Sequence, residues 1–553
     1  MASITAQQGV FALPNIVNEP CRNYEPGSAD RTKLQQALKE MQQEAAQGKI
    51  HVPCIVNGKP IKTSSQAKQV NPSNFEEVLC TYDEADKGLI NTAIKGALEA
   101  RANWERMPLN DRAAIFLKAA DLLANKYRYK IMAATMLGQG KNIWQAEIDA
   151  AAESCDFLRF GIKYMHQLYS IQPPENSAGV WNRVEYRPLE GFVLAVSPFN
   201  FTAIGINLAA APAMVGNVVI WKPSPMAVYS NYLMLQILHE AGLPAGVIQF
   251  CPGPAGEVVS TALAHREFAS LHFTGSTTIF KKLWKQIADN IENYRSYPRI
   301  VGETGGKNFH FVHSSANVEH AVHQTIRAAF EYQGQKCSAL SRLYVPQSMW
   351  TNGGFKQLLS EQVSKISVGP VEEFQHFCGP VIAKTAFERI TSMINEAKQA
   401  GGKIVCGGTS DGTKGFFVQP TVIETDDPKS VTMVNEIFGP VLTVYPYPDD
   451  QVDQTCALVD GTTDYSLTGA IFAQDRNALI HISNLLRDAS GMMYFNDKCT
   501  GAVVGQQPFG GARGSGTNDR AGSMALLLRF TSARTIKESF NEIPHYIYPS
   551  NLS

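Results

Sequence analysis

From residue 191 onward the chain alternates short apolar runs with segments of helical character, and this alternation restricts the possible folds more than any other feature. The runs occupy residues 192–196, 218–221, 247–251 and 271–274. Runs of this length without a polar alternation are typical of strands that are buried on both faces. Buried strands that alternate with helices predict an α/β protein built on a parallel, doubly wound sheet.

Helix signals support this interpretation. Ser224 can cap a helix whose first position suits Pro225 and whose end suits Gly242. A further amphipathic helix is predicted over residues 110–125, where apolar residues recur at helical spacing.

Polar or small residues stand directly after three of the four runs. These residues are Ser197, Lys222 and the pair Gly275–Ser276. Because ligands of parallel sheets bind beyond the carboxyl ends of the strands, we expect these residues to border a ligand site.

The chain divides into two αβ units and a smaller element. A second αβ series begins near residue 301, and the first 30 residues, which lack periodicity, are expected to wrap over a surface. Residues 179–191 alternate polar and apolar side chains and predict a hairpin excursion. Leu526, Leu527, Leu528 and Phe530 make the chain end too apolar to expose, which predicts an interface with another subunit. The predicted units are residues 1–176 with 191–300, residues 301–520, and residues 177–190 with 521–553.

Composition excludes several classes of protein. The chain has 553 residues, 49 Lys and Arg against 50 Asp and Glu, and 44% hydrophobic residues, which is too apolar for a disordered chain. The balanced charge argues against a nucleic-acid or membrane-surface partner. The longest apolar run, residues 208–221, is shorter than the about 20 residues that a bilayer requires and contains Pro212. We therefore expect no membrane span.

The ten cysteines include no CxxC pair, and no histidine pair accompanies them at zinc spacing. This distribution predicts free thiols, a reducing compartment and no metal site.

Two segments carry candidate chemistry. Residues 302–308 (GETGGKN) hold Glu303 in a glycine-rich loop, and residues 330–338 (FEYQGQKCS) place Cys337 after Lys336. A positive charge at Lys336 is expected to lower the pKa of the thiol and so raise its thiolate fraction. Taken alone, the first segment is equally consistent with an ordinary turn, and the second is consistent with an unreactive cysteine.

Taken together, the two segments resemble the paired signatures of the aldehyde dehydrogenase superfamily. Further segments resemble motifs of that family in the same order along the chain: 197–201 (SPFNF), 221–224 (WKPS), 273–276 (FTGS), 436–440 (EIFGP) and 508–511 (PFGG). The resemblance covers about residues 50 to 520.

A narrower resemblance is to the Δ1-pyrroline-5-carboxylate dehydrogenase branch. It is carried by residues 138–141 (GQGK), 145–153 (QAEIDAAAE), 308–313 (NFHFVH), 496–498 (NDK) and 505–519 (GQQPFGGARGSGTND). It implies NAD-dependent oxidation of L-glutamate γ-semialdehyde to L-glutamate, the second step of proline degradation. The chain is too short to add a proline dehydrogenase module, so the monofunctional kind is expected.

The resemblance also implies an organisation. It implies that the first unit is an NAD-binding domain and that the second unit is a catalytic domain. The smallest unit is then an oligomerisation element that joins subunits into a homo-oligomer, with a dimer favoured. The expected compartment is the mitochondrial matrix in a eukaryote and the cytoplasm otherwise.

By the same resemblance, three residues carry the reaction. Cys337 is the nucleophile, the Asn200 amide and the Cys337 N–H stabilise the oxyanion, and Glu303 is the general base.

The implied cofactor is NAD, although no GxGxxG is present. The resemblance implies that Ser197 and Lys222 contact the adenosine half of NAD. It also implies that residues Gly275–Ile279 lie beside the pyrophosphate and that Glu436 holds the nicotinamide ribose. The full set of expected cofactor residues is Ser197, Pro198, Lys222, Gly275, Ser276, Thr277, Thr278, Ile279, Glu436 and Phe438.

The expected substrate-binding residues are Ser338, Gly501, Ala502, Phe201 and Phe509. Position 502 is alanine where the branch often has serine, so one hydrogen bond to the substrate carboxylate, worth about 1.5–3 kcal/mol, is missing unless Thr500 or water replaces it.

Three alternatives stay open at this point. The first is an aldehyde dehydrogenase for another short aldehyde, which Ala502 makes more plausible. The second is a cysteine acyltransferase or hydrolase, which needs Cys337 but not Glu436 or Lys222. The third is a non-catalytic descendant of the fold, which the joint presence of Cys337, Glu303 and Asn200 disfavours.

Overall fold

The computed structural model describes Gly9 and residues 11–552, and it contains two seven-stranded sheets. Residues 1–8, 10 and 553, part of the predicted wrapping segment and chain end, lie outside the described residues. The strands of the first sheet, in spatial order, are Arg299–Glu303, Phe268–Thr274, Phe192–Val196, Val218–Lys222, Ile248–Phe250, Cys54–Val56 and Lys59–Ile61.

The four apolar runs form parallel strands of this sheet, as the sequence predicts. Phe192–Val196 lies in the middle, with the next two runs on one side and Phe268–Thr274 on the other. The winding direction reverses between Phe192–Val196 and Phe268–Thr274, and such a reversal opens a crevice at the carboxyl edge.

One boundary differs from the sequence-based division. Arg299–Glu303 pairs in parallel with Phe268–Thr274, so the first sheet continues to Glu303 rather than ending at residue 300. Glu303 is therefore the last residue of a strand at the carboxyl edge.

The second sheet carries the second αβ series. Its strands, in spatial order, are Lys403–Cys406, Thr421–Glu424, Val441–Tyr447, Leu340–Pro346, Asn308–Val312, Thr468–Phe472 and Met492–Phe495. The pairs are parallel except at Lys403–Cys406. The smaller sheets comprise His51–Val52, Asn74–Asp83 and Gln66–Asn71; Ser410–Asp411 and Phe417–Val418; Tyr465–Ser466 and Ala512–Arg513; and Val180–Pro188 and Thr531–Ser539.

Helices cover both sheets. The α-helices are Ala29–Ala46, Lys87–Trp104, Leu109–Ala124, Arg128–Gln139, Ile143–Ala146, Ser154–Tyr169, Thr202–Met214, Val228–Ala241, Ala255–Leu263, Thr277–Asp289, Val318–Phe330, Gln347–Thr351, Phe355–Ser364, Lys384–Gln399, Val431–Val434, Val452–Gly461, Arg476–Leu485 and Met524–Leu528. A π-helix, Glu147–Glu153, interrupts the helical layer of the first domain. Short 3₁₀ turns occupy Pro225–Ala227, Ile291–Asn293, Glu331–Gly334 and Pro549–Asn551.

The predicted helix signals are confirmed. The Ser224 side chain accepts a hydrogen bond from the Met226 N–H, and a 3₁₀ turn from Pro225 leads into the helix Val228–Ala241. Gly242 ends that helix at φ 113°, a backbone conformation that favours glycine.

The prediction of a hairpin within residues 179–191 is wrong, because the strand in this segment pairs with a distant segment. Val180–Pro188 is a single strand, and it pairs antiparallel with Thr531–Ser539 from the chain end. A long-range pairing of this kind leaves no turn signal between its two strands, so an alternating run cannot disclose it.

The apolar chain end also differs from expectation. Leu526, Leu527 and Phe530 are buried in the core of the first domain, and Leu528 is 47% exposed. Leu526, Leu527 and Phe530 therefore pack within their own chain rather than forming an intersubunit patch, whereas Leu528 stays exposed. Further exposed apolar residues lie nearer the chain end, at Phe540, Ile543, Tyr546, Ile547, Tyr548 and Leu552.

Within the described residues, no helix is long and apolar enough to cross a membrane, and no group of three His, Cys, Asp or Glu side chains could hold a metal ion. The ten cysteines are free thiols.

Phe530→Ala should lower the free energy of unfolding by about 3–5 kcal/mol, because it removes a fully buried aromatic side chain and leaves a cavity. Phe540→Ala is the matched control, since Phe540 is 65% exposed and its loss should change stability by less than about 0.5 kcal/mol. Denaturant unfolding of both variants measures the difference, and equal effects would contradict the assignment of Phe530 to the core.

Candidate active site

The two motifs interlock at the carboxyl edge of the first sheet. A Cβ atom added to Gly306 would lie 2.2 Å from the Cys337 carbonyl oxygen, so the loops approach each other more closely than a side chain permits. The Asn308 side-chain amide donates to the carbonyls of Cys337 at 2.8 Å and Ala339 at 2.7 Å. Residues 302–308 therefore fix the backbone that carries the cysteine.

Glu303 points into a protected space. Its Oε2 atom is buried and has no hydrogen-bond partner among the described residues. Burial raises the pKa of Glu303 well above its usual range, and the negative charge of Asp519 adds to the effect. Thr304 holds the loop in place, because its N–H donates to the Ser515 carbonyl and its hydroxyl to the Gly514 carbonyl.

Cys337 is 7% exposed, and burial raises the pKa of its thiol. The charges of Glu303 and Glu436 raise this pKa further, whereas the backbone N–H groups of Cys337 and Ser338 favour the thiolate. The prediction that Lys336 lowers the thiol pKa is wrong: its ammonium is 3.0 Å from the Glu331 carboxylate and is neutralised there.

The loop before Cys337 has a constrained backbone. Tyr332 and Gln333 have φ values of 53° and 54°, in the left-handed region that side chains rarely adopt. The Tyr332 hydroxyl donates to the Gln139 carbonyl, and the Gln333 amide donates to the carbonyls of Gly140 and Pro380. These bonds stabilise a conformation that the local sequence disfavours.

Asn200 lies next to this loop. Its side-chain amide donates at 3.1 Å to the carbonyl of Gln335, two residues before Cys337. The helix Thr202–Met214 starts just beyond, and Asp149 accepts the N–H groups of Thr202 at 3.0 Å and Ala203 at 2.8 Å.

A buried ion pair fixes Asp149. Lys141 Nζ lies 2.8 Å from the Asp149 carboxylate, and both side chains are fully buried. The same ammonium is 3.8 Å from the centre of the Phe201 ring. Asp149 belongs to the π-helix, a feature that is frequent at functional sites. Sequence reasoning assigned no role to Gln139, Lys141 or Asp149, although each stands in a segment that carried the family resemblance.

A cavity of about 370 Å³ brings several predicted residues together. Those that line it are Cys337, Glu303, Ser338, Gly501, Ala502, Phe201 and Phe509. Glu153 and Asp156 line it as well, and burial raises the pKa of Glu153 to about 8.

The loop at residues 499–507 forms one wall of this cavity. The Thr500 and Ser338 hydroxyls are 2.7 Å apart, so this wall places a hydroxyl beside Ser338 although position 502 carries none. Gly501 has φ 91°, which favours glycine at this turn, and Ala502 is half-buried on the cavity wall.

The residues expected at a pyrophosphate surround the start of the helix Thr277–Asp289. Gly275 donates its N–H to the Glu303 carbonyl, and the Thr277 hydroxyl links the Gly305 N–H to the Gly514 carbonyl. Ser276 makes no side-chain cap, and Thr278 and Ile279 are exposed, so the first N–H groups of the helix face outward. Free helix N-termini of this kind suit phosphate groups.

Ser197 directly follows the strand Phe192–Val196, and Lys222 ends the neighbouring strand. The Ser197 hydroxyl accepts a hydrogen bond from the Trp221 indole at 2.8 Å, and half-buried Pro198 follows it. Lys222 is 4% exposed, and its ammonium donates to the Pro223 carbonyl. Burial lowers the pKa of Lys222 to about 8.

Glu436 contacts the glycine-rich loop from the second domain. It accepts the Gly306 N–H at 2.9 Å, and a Cβ on Gly305 would lie 2.5 Å from its carboxylate. Phe438 follows at φ 55° and packs edge-on against the ring of Phe199.

A model of the aldehyde dehydrogenase family matches residues 61–536. The delta-1-pyrroline-5-carboxylate dehydrogenase of Agaricus bisporus is 59% identical over 548 residues, covering 99% of this chain and 100% of that relative. The mitochondrial delta-1-pyrroline-5-carboxylate dehydrogenase of Homo sapiens is 48% identical over 536 residues, covering 96% of this chain and 94% of that relative.

Solved structures give the same result. The crystal structure of the Delta-pyrroline-5-carboxylate dehydrogenase from Mycobacterium tuberculosis bound with NAD has a TM-score of 0.95 and 43% identity, covering 99% of this chain and 100% of that one. Since the family match spans most of the sequence and these relatives align over nearly their whole length, this chain belongs to the aldehyde dehydrogenase family, in the branch of the delta-1-pyrroline-5-carboxylate dehydrogenases.

Proposed function

We propose that this chain oxidises L-glutamate γ-semialdehyde to L-glutamate with NAD, as the second step of proline degradation. The observation that carries the proposal is the cavity in which Cys337 and Glu303 face the loop at Thr500–Ala502. A nucleophile and a base thus share one space with candidate donors for a carboxylate. The names of the full-length relatives support the same reaction.

The residues present fit NAD. The open helix N-terminus at Thr277 suits a pyrophosphate. Lys222 ends the strand beside Phe192–Val196, which borders the crevice where dinucleotides bind in doubly wound sheets. Glu436 accepts only one hydrogen bond among the described residues, which leaves carboxylate capacity for ribose hydroxyls. When bound, NAD supplies the hydride acceptor. Ser197, Pro198, Gly275, Ser276, Thr278, Ile279 and Phe438 complete the proposed binding surface.

Cys337 starts the reaction by attacking the aldehyde carbon. An aldehyde is a poor hydride donor until this attack makes its carbon tetrahedral, and the product is a thiohemiacetal on sulfur. The negative oxygen needs donors, which Asn200 and the Cys337 N–H provide. One such donor is typically worth about 3 kcal/mol. After hydride loss, the acyl group is left as a thioester on Cys337.

Glu303 releases the product. Its carboxylate, when ionised, removes a proton from water that attacks the thioester, and Cys337 leaves as the thiolate. Because burial raises the pKa of Glu303, ionisation and hence this step should become faster as pH rises.

The substrate is held at both ends. In the proposed complex, Ser338, Thr500 and the N–H groups near Gly501 and Ala502 bind the α-carboxylate, and Phe201 and Phe509 enclose the aliphatic chain. All of these residues line the cavity. This arrangement favours an aldehyde that carries a carboxylate over a simple aliphatic aldehyde. Comparing the turnover of the two substrates tests this preference against the alternative of an enzyme for another short aldehyde.

We also propose a division of labour among the units of the chain. The first sheet and its helices bind NAD, and the second sheet carries the nucleophile. The ribbon of Val180–Pro188 and Thr531–Ser539, with the exposed chain end, joins subunits of a homo-oligomer, a dimer being favoured.

The human relative is named a mitochondrial enzyme. The mitochondrial matrix is the proposed compartment if this chain is eukaryotic, and the cytoplasm is the proposed compartment otherwise.

Cys337→Ala should abolish NADH production from glutamate semialdehyde while leaving NAD affinity nearly unchanged, because the thiol is the nucleophile and not part of the dinucleotide surface. Absorbance of NADH and calorimetric NAD binding measure the two effects. Cys456→Ala is the control, since this buried thiol lies in a separate core of the second domain. Substantial residual oxidation by Cys337→Ala, or faster turnover of propanal than of the semialdehyde by the wild type, would contradict the proposed function.

Glu303→Gln should give a stoichiometric burst of NADH followed by slow turnover, because acylation survives and hydrolysis loses its base. Stopped-flow absorbance resolves the two phases. Glu372→Gln is the matched control, since Glu372 also has a buried Oε2 without a hydrogen-bond partner among the described residues and a pKa that burial raises. A normal steady-state rate in Glu303→Gln would show that another group activates the water.

Ala502→Ser should lower the apparent KM for glutamate semialdehyde by roughly fivefold, because an added hydroxyl contributes about 1 kcal/mol to carboxylate binding. Propanal serves as the control substrate, since it offers no carboxylate. Equal changes for both substrates would mean that the loop acts through packing. A raised KM for the semialdehyde would mean that Thr500 already fills the position.

Deletion of the residues after Phe540 should weaken self-association, because it removes Ile543, Tyr546, Tyr548 and Leu552, which are exposed and apolar. Light scattering at micromolar concentration measures the effect. A wild-type protein that is monomeric under these conditions would overturn the proposed interface.

A further inference from the structure

The side chain of Asn18 connects the segment before the first helix to two other parts of the molecule. Its Nδ2 atom donates to the Asp156 carboxylate at 2.8 Å and to the Val504 carbonyl at 2.7 Å. Its Oδ1 atom accepts a hydrogen bond from the Gln506 side chain at 3.0 Å. One amide near the N-terminus thus links the helix Ser154–Tyr169 to the loop at residues 499–507.

That loop needs an external support. Val504 and Gln506 flank Gly505, which has φ 86°, and Gly501 has φ 91°. Residues 502–504, which line the cavity, therefore lie between two glycines whose backbones have many accessible conformations in the free chain. The bonds from Asn18 hold the distal end of this segment.

The N-terminal strap, which we define as residues 16–22, is itself firmly attached. The Glu19 N–H donates to Asp156 at 2.7 Å. The Glu19 carboxylate lies 2.7 Å from both Arg128 and Arg159. The Arg22 N–H donates to Glu147 of the π-helix at 2.8 Å. Because the strap is attached to these helices, it can hold the loop at a fixed position relative to them.

Apolar contacts reinforce the same junction. Val504 packs in a small buried cluster with Phe157, Phe160 and Ala203, and Ile16 of the strap covers this cluster. Asn18 and Cys21 of the strap also line the cavity that holds Cys337. The strap is thus part of the wall behind the loop.

We propose that Asn18 is a positioning residue for the loop that binds the substrate carboxylate. It acts through Val504 and Gln506, and touches neither the reacting carbon nor the cofactor. This inference rests on the proposed function, since it concerns recognition of the carboxylate of the semialdehyde.

Two variants of Asn18 separate hydrogen bonding from packing. Asn18→Ala removes the amide, whereas Asn18→Asp keeps its size but loses both N–H donors and places a carboxylate beside Asp156. In both variants the KM for glutamate semialdehyde should rise roughly tenfold, the effect of losing one or two part-buried hydrogen bonds. The kcat, the KM for NAD and the kcat/KM for propanal should each stay within twofold.

Asn290→Ala is the matched control. Asn290 is also part-buried and donates to a main-chain carbonyl, that of Leu263, in the first domain and away from the cavity. It should leave the KM for the semialdehyde unchanged.

Amide hydrogen exchange gives a readout that does not depend on activity. Residues 499–507 should exchange faster in both Asn18 variants than in the wild type, while residues 302–308 should not change. If the wild type fails to oxidise the semialdehyde, the proposed function fails, and hydrogen exchange still tests whether Asn18 holds the loop.

Three results would overturn the inference: unchanged exchange at residues 499–507, a semialdehyde KM within twofold of the wild type in both variants, or an equal loss for propanal and the semialdehyde. A wild-type KM in Asn18→Asp alone would assign the effect to packing and also reject the hydrogen-bonded role.

Discussion

The close approach of two loops at Gly305 and Gly306 is the constraint on which the site depends. A Cβ on Gly306 would collide with the Cys337 carbonyl, and a Cβ on Gly305 would collide with the Glu436 carboxylate. Because glycine leaves this space free, one short segment contacts the cysteine loop, the second domain and the end of the first sheet at once. The base, the nucleophile and the proposed ribose-binding carboxylate are therefore positioned by the same few backbone atoms.

Burial of charge sets the electrostatics of the site. Glu303 and Cys337 both have raised pKa values, and the charge of Glu303 is among the causes that raise the pKa of the thiol. The charge of Glu303 therefore favours the neutral form of the Cys337 thiol. A site of this kind suits a reaction in which the two groups act in turn, with the thiolate used for acylation and the carboxylate for hydrolysis.

Buried polar residues hold the backbone around the site in place. The Lys141–Asp149 pair is fully buried, yet Asp149 also accepts two backbone N–H groups at the start of the helix after Phe201. Removal of one partner from such a pair leaves an uncompensated charge, which is strongly destabilising. The pair thus explains how the backbone beside Asn200 can stay fixed in a region that must also admit substrate.

The sequence by itself determined the parallel sheet, the helix that starts at Ser224, and the motifs around Glu303 and Cys337, because these depend on local periodicity, capping and residue order. Tertiary structure alone decided the partner of Val180–Pro188, the burial of Phe530 and the neutralisation of Lys336 by Glu331. It also decided that Thr500 stands against Ser338, and that Asn18 reaches Val504 from the far end of the chain. Each of these depends on contacts between distant residues, and neither the local pattern of side chains nor their spacing records which distant group will be the neighbour.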